Sequence, residues 1–347
     1  MTADLKSLTL EQIEELVTGW NWPKYRARQL AAWIFQKDAG SFADMSDFPL
    51  DFRRQLAAGC RITRLDMLAR EASFDGSTVK FLWGLEDGHA VESVLLRHEY
   101  GYSACVSTQV GCRMSCLFCA STLGGLVRNL TAGEIYDQVL ALQRAEGVRV
   151  GRIVIMGTGE PLDNYDATMG FIANVTAPYG LNIGQRRITL STCGLVPGIR
   201  RLASRRLQLT LAVSLHAPNN ALRDRLVPIN RRYPLEELIP ACRDYAVQTG
   251  RRVTFEYALI KDLNDAPEHA VVLTELLRGV HCHINLIPVN TVLERGFNPP
   301  DRRTVLSFQS TLESKGFPVT VRKEMGAEIG AACGQLRRRY EGKGRER

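Results

Sequence analysis

Apolar positions recur at helical spacing from the start of the chain. Leu8, Leu10, Ile13, Leu16 and Val17 follow Lys6-Ser7, and a second amphipathic stretch spans Tyr25–Phe35 behind Pro23. Up to about residue 60 the sequence therefore reads as a small helical unit. The second stretch carries Lys24, Arg26 and Arg28 on its polar side, a basic face equally suited to nucleic acid and to solvent. From residue 77 the period shortens, with β-rich runs at Val79–Leu85, Ala90–Leu96 and Ser103–Val110. Strand-like Ile153–Met156, Ile188–Leu190, Leu209–Ser214, Val253–Leu259 and His283–Ile287 follow. They alternate with helical segments at Ala132–Glu146, Asp166–Val175, Leu235–Gln248, Pro267–Leu277 and Asp301–Ser314. Strand and helix in units of about thirty residues predict an α/β fold, a parallel sheet with crossover helices. Counting Ser103–Val110, six strands fit a partial barrel or an open doubly wound sheet, and periodicity does not choose. No Gly-x-Gly-x-x-Gly follows the first strand, which weighs against an ordinary dinucleotide site. The expected organisation is a helical accessory domain (1–62), a β-rich linker (63–97), an α/β core (98–330) and a C-terminal segment (331–347) ending in a basic tail.

Composition narrows the class. The chain has 347 residues, 45% hydrophobic and 23% charged, the ordinary balance of a soluble globular protein. Lys and Arg number 44 against 37 Asp and Glu, a formal charge of +7 that suits a polyanionic partner without identifying one. No apolar run approaches the roughly 18 residues of a membrane span, and Met1–Ser7 lacks the form of a secretory signal. The expected location is the cytoplasm, with no membrane partner.

Nine cysteines change the picture further. In a reducing compartment such residues more often bind metal or react than staple a fold. Cys105, Cys112, Cys116 and Cys119 lie close together, whereas Cys60, Cys193, Cys242, Cys282 and Cys333 are scattered. Cys112-Arg-Met-Ser-Cys116-Leu-Phe-Cys119 directly follows the first strand of the alternating domain, and C-terminal strand ends carry the chemistry of such folds. Three thiolates at gaps of three and two can hold three corners of a 4Fe–4S cluster and leave one iron open. A structural zinc site wants four ligands, usually in two pairs, and no fourth Cys or His follows at suitable spacing. Gly157-Thr-Gly159-Glu160-Pro161 ends the next strand. Its glycines allow close backbone approach to a ligand and its carboxylate can pair with an ammonium, although a simple Gly-Pro turn would look alike.

The Cys-x3-Cys-x2-Cys loop, with Phe118 before its last cysteine, resembles the signature of radical S-adenosylmethionine (SAM) enzymes. That resemblance implies a partial (βα)6 barrel whose open cluster iron is chelated by SAM, and Gly157–Pro161 looks like the motif holding the SAM amino group. Further stretches resemble the RNA adenine methyltransferases called RlmN: Cys105-Val-Ser-Thr-Gln-Val-Gly-Cys112, Gly157–Asn164, Ser191-Thr-Cys-Gly194, Ser214-Leu215-His216, Ile287-Pro-Val-Asn290 and Ala331-Ala-Cys333-Gly-Gln-Leu336. By this resemblance SAM is contacted by Gly159, Glu160, Ser191, Ser214, Leu215, His216 and Asn290. The sister family Cfr, which methylates carbon 8 of the same adenine, is also similar, but it departs where this chain has Pro161-Leu-Asp-Asn164. Thr158 stands where RlmN proteins often have Met.

Carbon 2 of adenine is electron-poor, so a carbon radical adds there where a methyl cation equivalent does not. The resemblance implies that Cys333 takes a methyl group from one SAM and that a second SAM yields the radical that activates it. Protein and RNA become covalently joined, Glu92 accepts the carbon-2 proton, and Cys105 releases the product through a transient disulfide with Cys333. The implied partners are 23S ribosomal RNA, some transfer RNAs at the adenine beside the anticodon, and a flavodoxin-type electron donor. The protein is expected to be a monomer. Taken singly, Cys333 suits an inert buried thiol, Glu92 a solvent-facing strand residue and His216 a strand cap. A zinc-stabilised RNA-binding protein without catalysis is the alternative of another class. Arg200, Arg201, Arg205 and Arg206, with Arg223, Arg225, Arg231 and Arg232, are expected to neutralise phosphates near the barrel mouth. Cys60, Cys193, Cys242 and Cys282 read as core.

Overall fold

The computed structural model describes residues 2–289 and 296–322 together with Leu336. Asn290, Cys333 and the basic tail lie outside the described residues. At the N-terminus, β1 (Ala3–Asp4) leads to α1 (Leu10–Gly19), α2 (Tyr25–Phe35) and α3 (Leu50–Gly59), and β2 (Cys60–Arg61) pairs parallel with β1. A reciprocal cap opens α1: Gln12 N donates to Thr9 Oγ1 (3.4 Å) and Thr9 N to Gln12 Oε1 (2.9 Å). Ile13, Val17, Leu30, Ile34, Phe35, Phe52 and Leu56 bury the apolar faces of these helices.

The chain then forms β3 (Asp66–Ala72), β4 (Thr78–Gly84), β5 (Ala90–His98) and β6 (Gly101–Cys105) as an antiparallel series. A separate pair, β7 (Gln109–Gly111) and β8 (Leu126–Asn129), brackets the cysteine loop. After α4 (Ala132–Glu146), β9 (Val150–Ile155) lies parallel beside β6. The alternation continues through α5 (Tyr165–Thr176), β10 (Ile188–Thr192), α6 (Val196–Ser204), β11 (Thr210–Ser214), α7 (Asn220–Leu226) and α8 (Leu235–Thr249). It ends with β12 (Val253–Leu259), α9 (Pro267–Leu276), β13 (Cys282–Pro288), α10 (Arg302–Ser314) and β14 (Val319–Val321). All the long strands join one ten-stranded sheet in the order β14-β13-β12-β11-β10-β9-β6-β5-β4-β3, and among the described residues its ends do not pair, so the barrel is open.

The expected strand Ser103–Val110 divides in two. Its ladder stops at Cys105, because the chain there turns to meet the β9–α5 loop: Gly157 N donates to Val106 O (3.0 Å) and Thr108 N to Thr158 O (2.9 Å). β3 escaped the sequence pattern because none of its residues is fully buried and Asp66-Met-Leu-Ala-Arg-Glu-Ala72 shows no apolar–polar alternation.

Register sorts the sheet into two faces, since residues directly opposite one another share a side. The helix side buries Ile153, Leu190, Val213, Phe255, Tyr257 and Leu286 in the main core. The other, inner side is polar. One row runs Lys80, Val94, Cys105, Val154, Thr189 and Thr210. Another runs Ser214, Glu256, Asn285 and Thr320.

A buried ion cluster clamps the N-terminal unit to α4. Lys6 Nζ meets Asp137 Oδ1 at 2.5 Å and Asp38 Oδ1 at 3.3 Å, while Arg144 Nη2 lies 3.1 Å from Asp137 Oδ2. The helix can come this close because Gly133 carries no Cβ, which would stand 2.2 Å from Asp4 Oδ2. Burial pushes the Asp137 carboxyl up, but the Lys6 and Arg144 charges outweigh it and hold it below the ordinary carboxylate value. Its contribution is thus complete above the unfolded value of about 3.9 and is lost as pH falls through the folded one. Lys6→Met should destabilise the protein by about 3–5 kcal/mol, because it leaves Asp137 short of a buried partner; the shift of the urea unfolding midpoint measures it.

Candidate active site

The cysteine loop is held by its backbone. Gly111 has φ +78, and a Cβ there would lie 2.0 Å from Gly125 O, so only glycine lets β7 and β8 close the base of the loop. Cys112 N donates to Gly125 O (2.9 Å) and Leu117 N to Leu226 O (2.9 Å). Thr122 Oγ1 donates to the carbonyls of Cys116 (3.2 Å) and Cys119 (3.0 Å). Cys112, Met114 and Cys116 pack with Cys193, Ala217, Leu222 and Leu226.

These thiols suit an iron–sulfur cluster by their chemistry. Burial pushes the Cys112 thiol up to about 12 and Cys116 well above its ordinary value, and the neighbouring cysteines and Glu160 push in the same direction. Three thiolates side by side here require an adjacent positive charge, which the irons of a cluster supply. Among the described residues no group of three His, Cys, Asp or Glu side chains is gathered tightly enough to hold a single ion.

The loop after β9 presses directly on this region. A Cβ at Gly157 would lie 2.6 Å from Ser107 Oγ, and one at Gly159, which has φ +110, would lie 2.7 Å from Gln109 Cβ. Gln109 Oε1 accepts from Glu160 N (2.8 Å), and its Nε2 donates to Asp163 Oδ2 (2.8 Å). Arg113 also grips Asp163, and Asn164 Nδ2 donates to Thr108 O (2.8 Å) and Leu130 O (2.7 Å). The Glu160 carboxylate is buried and accepts from Leu162 N (3.0 Å) and Cys193 N (2.8 Å). Burial outweighs these hydrogen bonds and holds its carboxyl above the usual value.

Ser191 and Ser214 lie on the inner face, and the turn after β11 is set by Arg223. This arginine is fully buried and donates to Cys193 O (2.7 Å), Leu215 O (3.2 Å), Ser214 O (3.2 Å) and Asn230 Oδ1 (2.9 Å). The expectation that Arg223 neutralises phosphate is therefore corrected, since all its donors point inward. Asn219 caps α7 (Leu222 N to Asn219 Oδ1, 3.0 Å), which turns Arg223 beneath the loop. Arg200, Arg201, Arg205, Arg206, Arg225, Arg231 and Arg232 are exposed, with Arg201 engaged by Asp166 and the Tyr165 ring.

His216 is buried, has φ +57, and packs edge-on against Phe118 at 4.6 Å. Its Nδ1 accepts from Ala258 N (2.9 Å), so the ring proton sits on Nε2. Burial, then the Arg223 charge, lowers its pKa to about 3.

A second group shares the inner face. Glu92 is buried rather than solvent-facing, and Lys80 Nζ lies 2.8 Å from its Oε2. Cys105 is half-buried, opposite Val94, two residues along from Glu92. Leu336, three residues beyond Cys333 in sequence, is buried against Leu82 and Ala90, and Leu82 is the residue opposite Glu92. Sequence reasoning missed Lys80, whose signal is a single charge inside Val79-Lys80-Phe81-Leu82-Trp83. It also missed Glu256, whose carboxylate accepts from Asn285 Nδ2 (2.7 Å) and is held above its usual value by burial. Cys60, Cys242 and Cys282 are core residues; Cys193 is buried too, but its backbone belongs to the site.

His216 should remain neutral with its proton on Nε2 from about pH 8 to about pH 5, read by 15N NMR of the ring. A His216 signal titrating near the ordinary value would disprove this environment. Because the native ring resists protonation, its contribution to stability is present above about pH 6.5 and is lost progressively below it.

Comparison with known proteins places this geometry. Residues 106–273 match the sequence model of the Radical SAM superfamily, and residues 3–62 that of the ribosomal RNA large subunit methyltransferase N-terminal domain. The probable dual-specificity RNA methyltransferase RlmN of Pelotomaculum thermopropionicum is 60% identical over 337 residues, 97% of this chain and 92% of that protein. The corresponding protein of Desulforudis audaxviator is also 60% identical, over 90% of this chain and 99% of its own. A crystal structure of a radical SAM methyltransferase from Sphaerobacter thermophilus superposes with a TM-score of 0.91 at 46% identity, covering 96% of this chain and 98% of that one. With this likeness over nearly its whole length, the chain belongs to the RlmN family of radical SAM RNA methyltransferases.

Proposed function

We propose that this enzyme methylates carbon 2 of one adenine in 23S ribosomal RNA and of the adenine beside the anticodon in some transfer RNAs. The observation that carries the reading is the shared inner face: Glu92 and Cys105 stand two residues apart on neighbouring strands, and Leu336 is buried beside the residue opposite Glu92. Carbon 2 is favoured over carbon 8 by Pro161–Asn164, where Asp163 and Asn164 brace the β9–α5 loop against β7 and its flanks.

Cys112, Cys116 and Cys119 would hold a 4Fe–4S cluster with one open iron. Gly159, Glu160, Ser191, Ser214, Leu215, His216 and Asn290 would hold SAM. When bound, cluster and SAM together supply the methyl group and the radical chemistry that activates it. The chain's own residues do the rest. Cys333 carries the methyl group as a thioether and becomes joined through that carbon to the base. Glu92 accepts the carbon-2 proton. The Cys105 thiolate then attacks the Cys333 sulfur: a disulfide forms, the sulfur–carbon bond breaks with its electron pair leaving on carbon, and that carbon takes a proton to become the methyl group. An external thiol reductant restores both cysteines. Arg225, Arg231 and Arg232, with the basic face of α2, would meet RNA phosphates, and the target adenine must leave its stack. A flavodoxin-type donor, a monomeric state and a cytoplasmic location complete the reading.

The test is anaerobic. The protein is reconstituted with iron and sulfide, given reductant, SAM and a ribosomal RNA fragment, and the digested nucleosides are identified by mass spectrometry beside the Cys333→Ala variant. 2-Methyladenosine from the wild type and none from the variant is the expected result. 8-Methyladenosine would move the enzyme to carbon-8 chemistry, and 5′-deoxyadenosine without a methylated base would overturn the substrate assignment.

A further inference from the structure

We propose that Lys80 is a positioning residue for the methyl transfer: its buried ammonium keeps Glu92 ionised and aimed along the inner face, ready to take the carbon-2 proton. The inference rests on the reading of Glu92 as proton acceptor and adds the group that makes that role workable.

Lys80 lies inside β4 with its side chain wholly removed from solvent, and Glu92 on β5 is 3% exposed. The two are not directly opposite. Lys80 pairs with Val94 and Glu92 with Leu82, so the lysine reaches diagonally across the ladder to place Nζ 2.8 Å from Oε2. Both charges have given up water for this contact, and a well-packed apolar pair at such a place is commonly as stable or more so. The pair is therefore poorly accounted for by stability. Its position accounts for it better, because both side chains project onto the face that carries Cys105.

A carboxyl buried alone prefers its neutral form, and a protonated Glu92 cannot accept a proton. An ammonium in contact favours the carboxylate. When the carbon-2 bond to hydrogen breaks, its electron pair stays on the purine and the proton goes to Glu92. The contact then carries the unbalanced charge of Lys80, which faces a base that has just become more negative. Among the described residues, the other titratable or charged groups on this face are Asp66 and Glu71 on β3, the latter opposite Lys80, His98 on β5, Cys105 on β6 and Arg152 on β9, with Glu256 on β12 and His283 on β13 farther across the sheet. His98 and Arg152 both stack on Tyr100, at 4.7 Å and 4.4 Å from its ring. Ser107 Oγ donates to the Glu92 carbonyl (2.6 Å) and fixes the strand beneath the carboxylate.

The full-length, cluster-loaded protein is compared as wild type, Lys80→Met, Lys80→Arg and Glu92→Gln. Carbon-13 labelling of glutamate and isotope-edited infrared spectroscopy read the Glu92 carboxyl as the band missing from Glu92→Gln. Methylation is followed against pH, and the covalent protein–RNA adduct on denaturing gels. In Lys80→Met the Glu92 band should be that of the protonated acid at neutral pH. Methylation should fall at least about tenfold at neutral pH and recover as pH rises. The adduct should accumulate at neutral pH in Lys80→Met and at every pH in Glu92→Gln, and Lys80→Arg should restore the ionised band and most of the rate. An ionised Glu92 and a wild-type pH profile in Lys80→Met, with the adduct trapped in Glu92→Gln, would overturn the inference alone. Wild-type turnover in Glu92→Gln would overturn the proton-acceptor reading and the inference with it. Lys80→Gln, neutral but able to donate a hydrogen bond, provides the same comparison if Lys80→Met fails to fold.

Discussion

The hydroxyl of Ser107 stands where the parts of the site meet. It donates to the Glu92 carbonyl (2.6 Å) and accepts from Thr158 N (2.9 Å), while the Ser107 amide and carbonyl are both taken by the Gln138 side chain of α4 (2.8 and 2.9 Å). This junction exists only because Gly157 has no Cβ, which would intrude to 2.6 Å from the same oxygen. From there, Thr108 and Gln109 both donate to Thr158 O, and Gln109 receives the amide of Glu160. The distance between the cysteine loop and Glu160 is thus set by hydrogen bonds, two between backbone groups and one through the Gln109 side chain, whose length and angle tolerate little displacement. A shift at Ser107 would move the β5 strand and the β9–α5 loop together.

The sequence made the repeating parts of this fold plain and its exceptions obscure. Tyr25–Phe35, Ala132–Glu146 and Val253–Leu259 have the bounds that periodicity predicts, because each buries one face or both against a continuous core. Ser103–Val110 looked like one strand because hydrophobic alternation cannot register a turn made by hydrogen bonds to a loop fifty residues away. The cysteine loop and Gly157–Pro161 were legible as motifs, since their chemistry is carried by residue type and spacing. Arg223 was not. An arginine is usually a surface residue, and only the carbonyls of Cys193, Ser214 and Leu215 gathered beneath α7 make a buried one affordable. Lys80 escaped for the same reason: its partner lies on another strand, out of reach of any local pattern.

The site divides into two electrostatic settings. Around Glu160 and His216, burial works against charge: it holds the glutamate above its usual value and the histidine far below, and the fixed positive group, Arg223, is already occupied by carbonyls. On the proposed reading, a ligand ammonium beside Glu160 would draw that carboxyl down again, so binding would be strengthened by the desolvation that opposes the empty state. Around Glu92 the balance is internal, because Lys80 supplies the countercharge before any ligand arrives. One setting asks for a charged ligand. The other, on the proposed reading of Glu92, would hold a proton.

The helix α4 explains how settings on different strands stay in register. Asp137 and Gln138 are adjacent and both fully buried, and consecutive helical positions point about 100° apart. Asp137 holds Lys6 of the N-terminal unit and the amide of Leu65 just before β3, while Gln138 holds Ser107. The N-terminal unit, the antiparallel extension carrying Lys80 and Glu92, and the strand end leading to the cysteines are therefore fastened to one rigid element. An open sheet has no closing strand to fix such distances, and a helix buried from Ala132 to Leu142, with polar side chains at two successive positions, does that work instead.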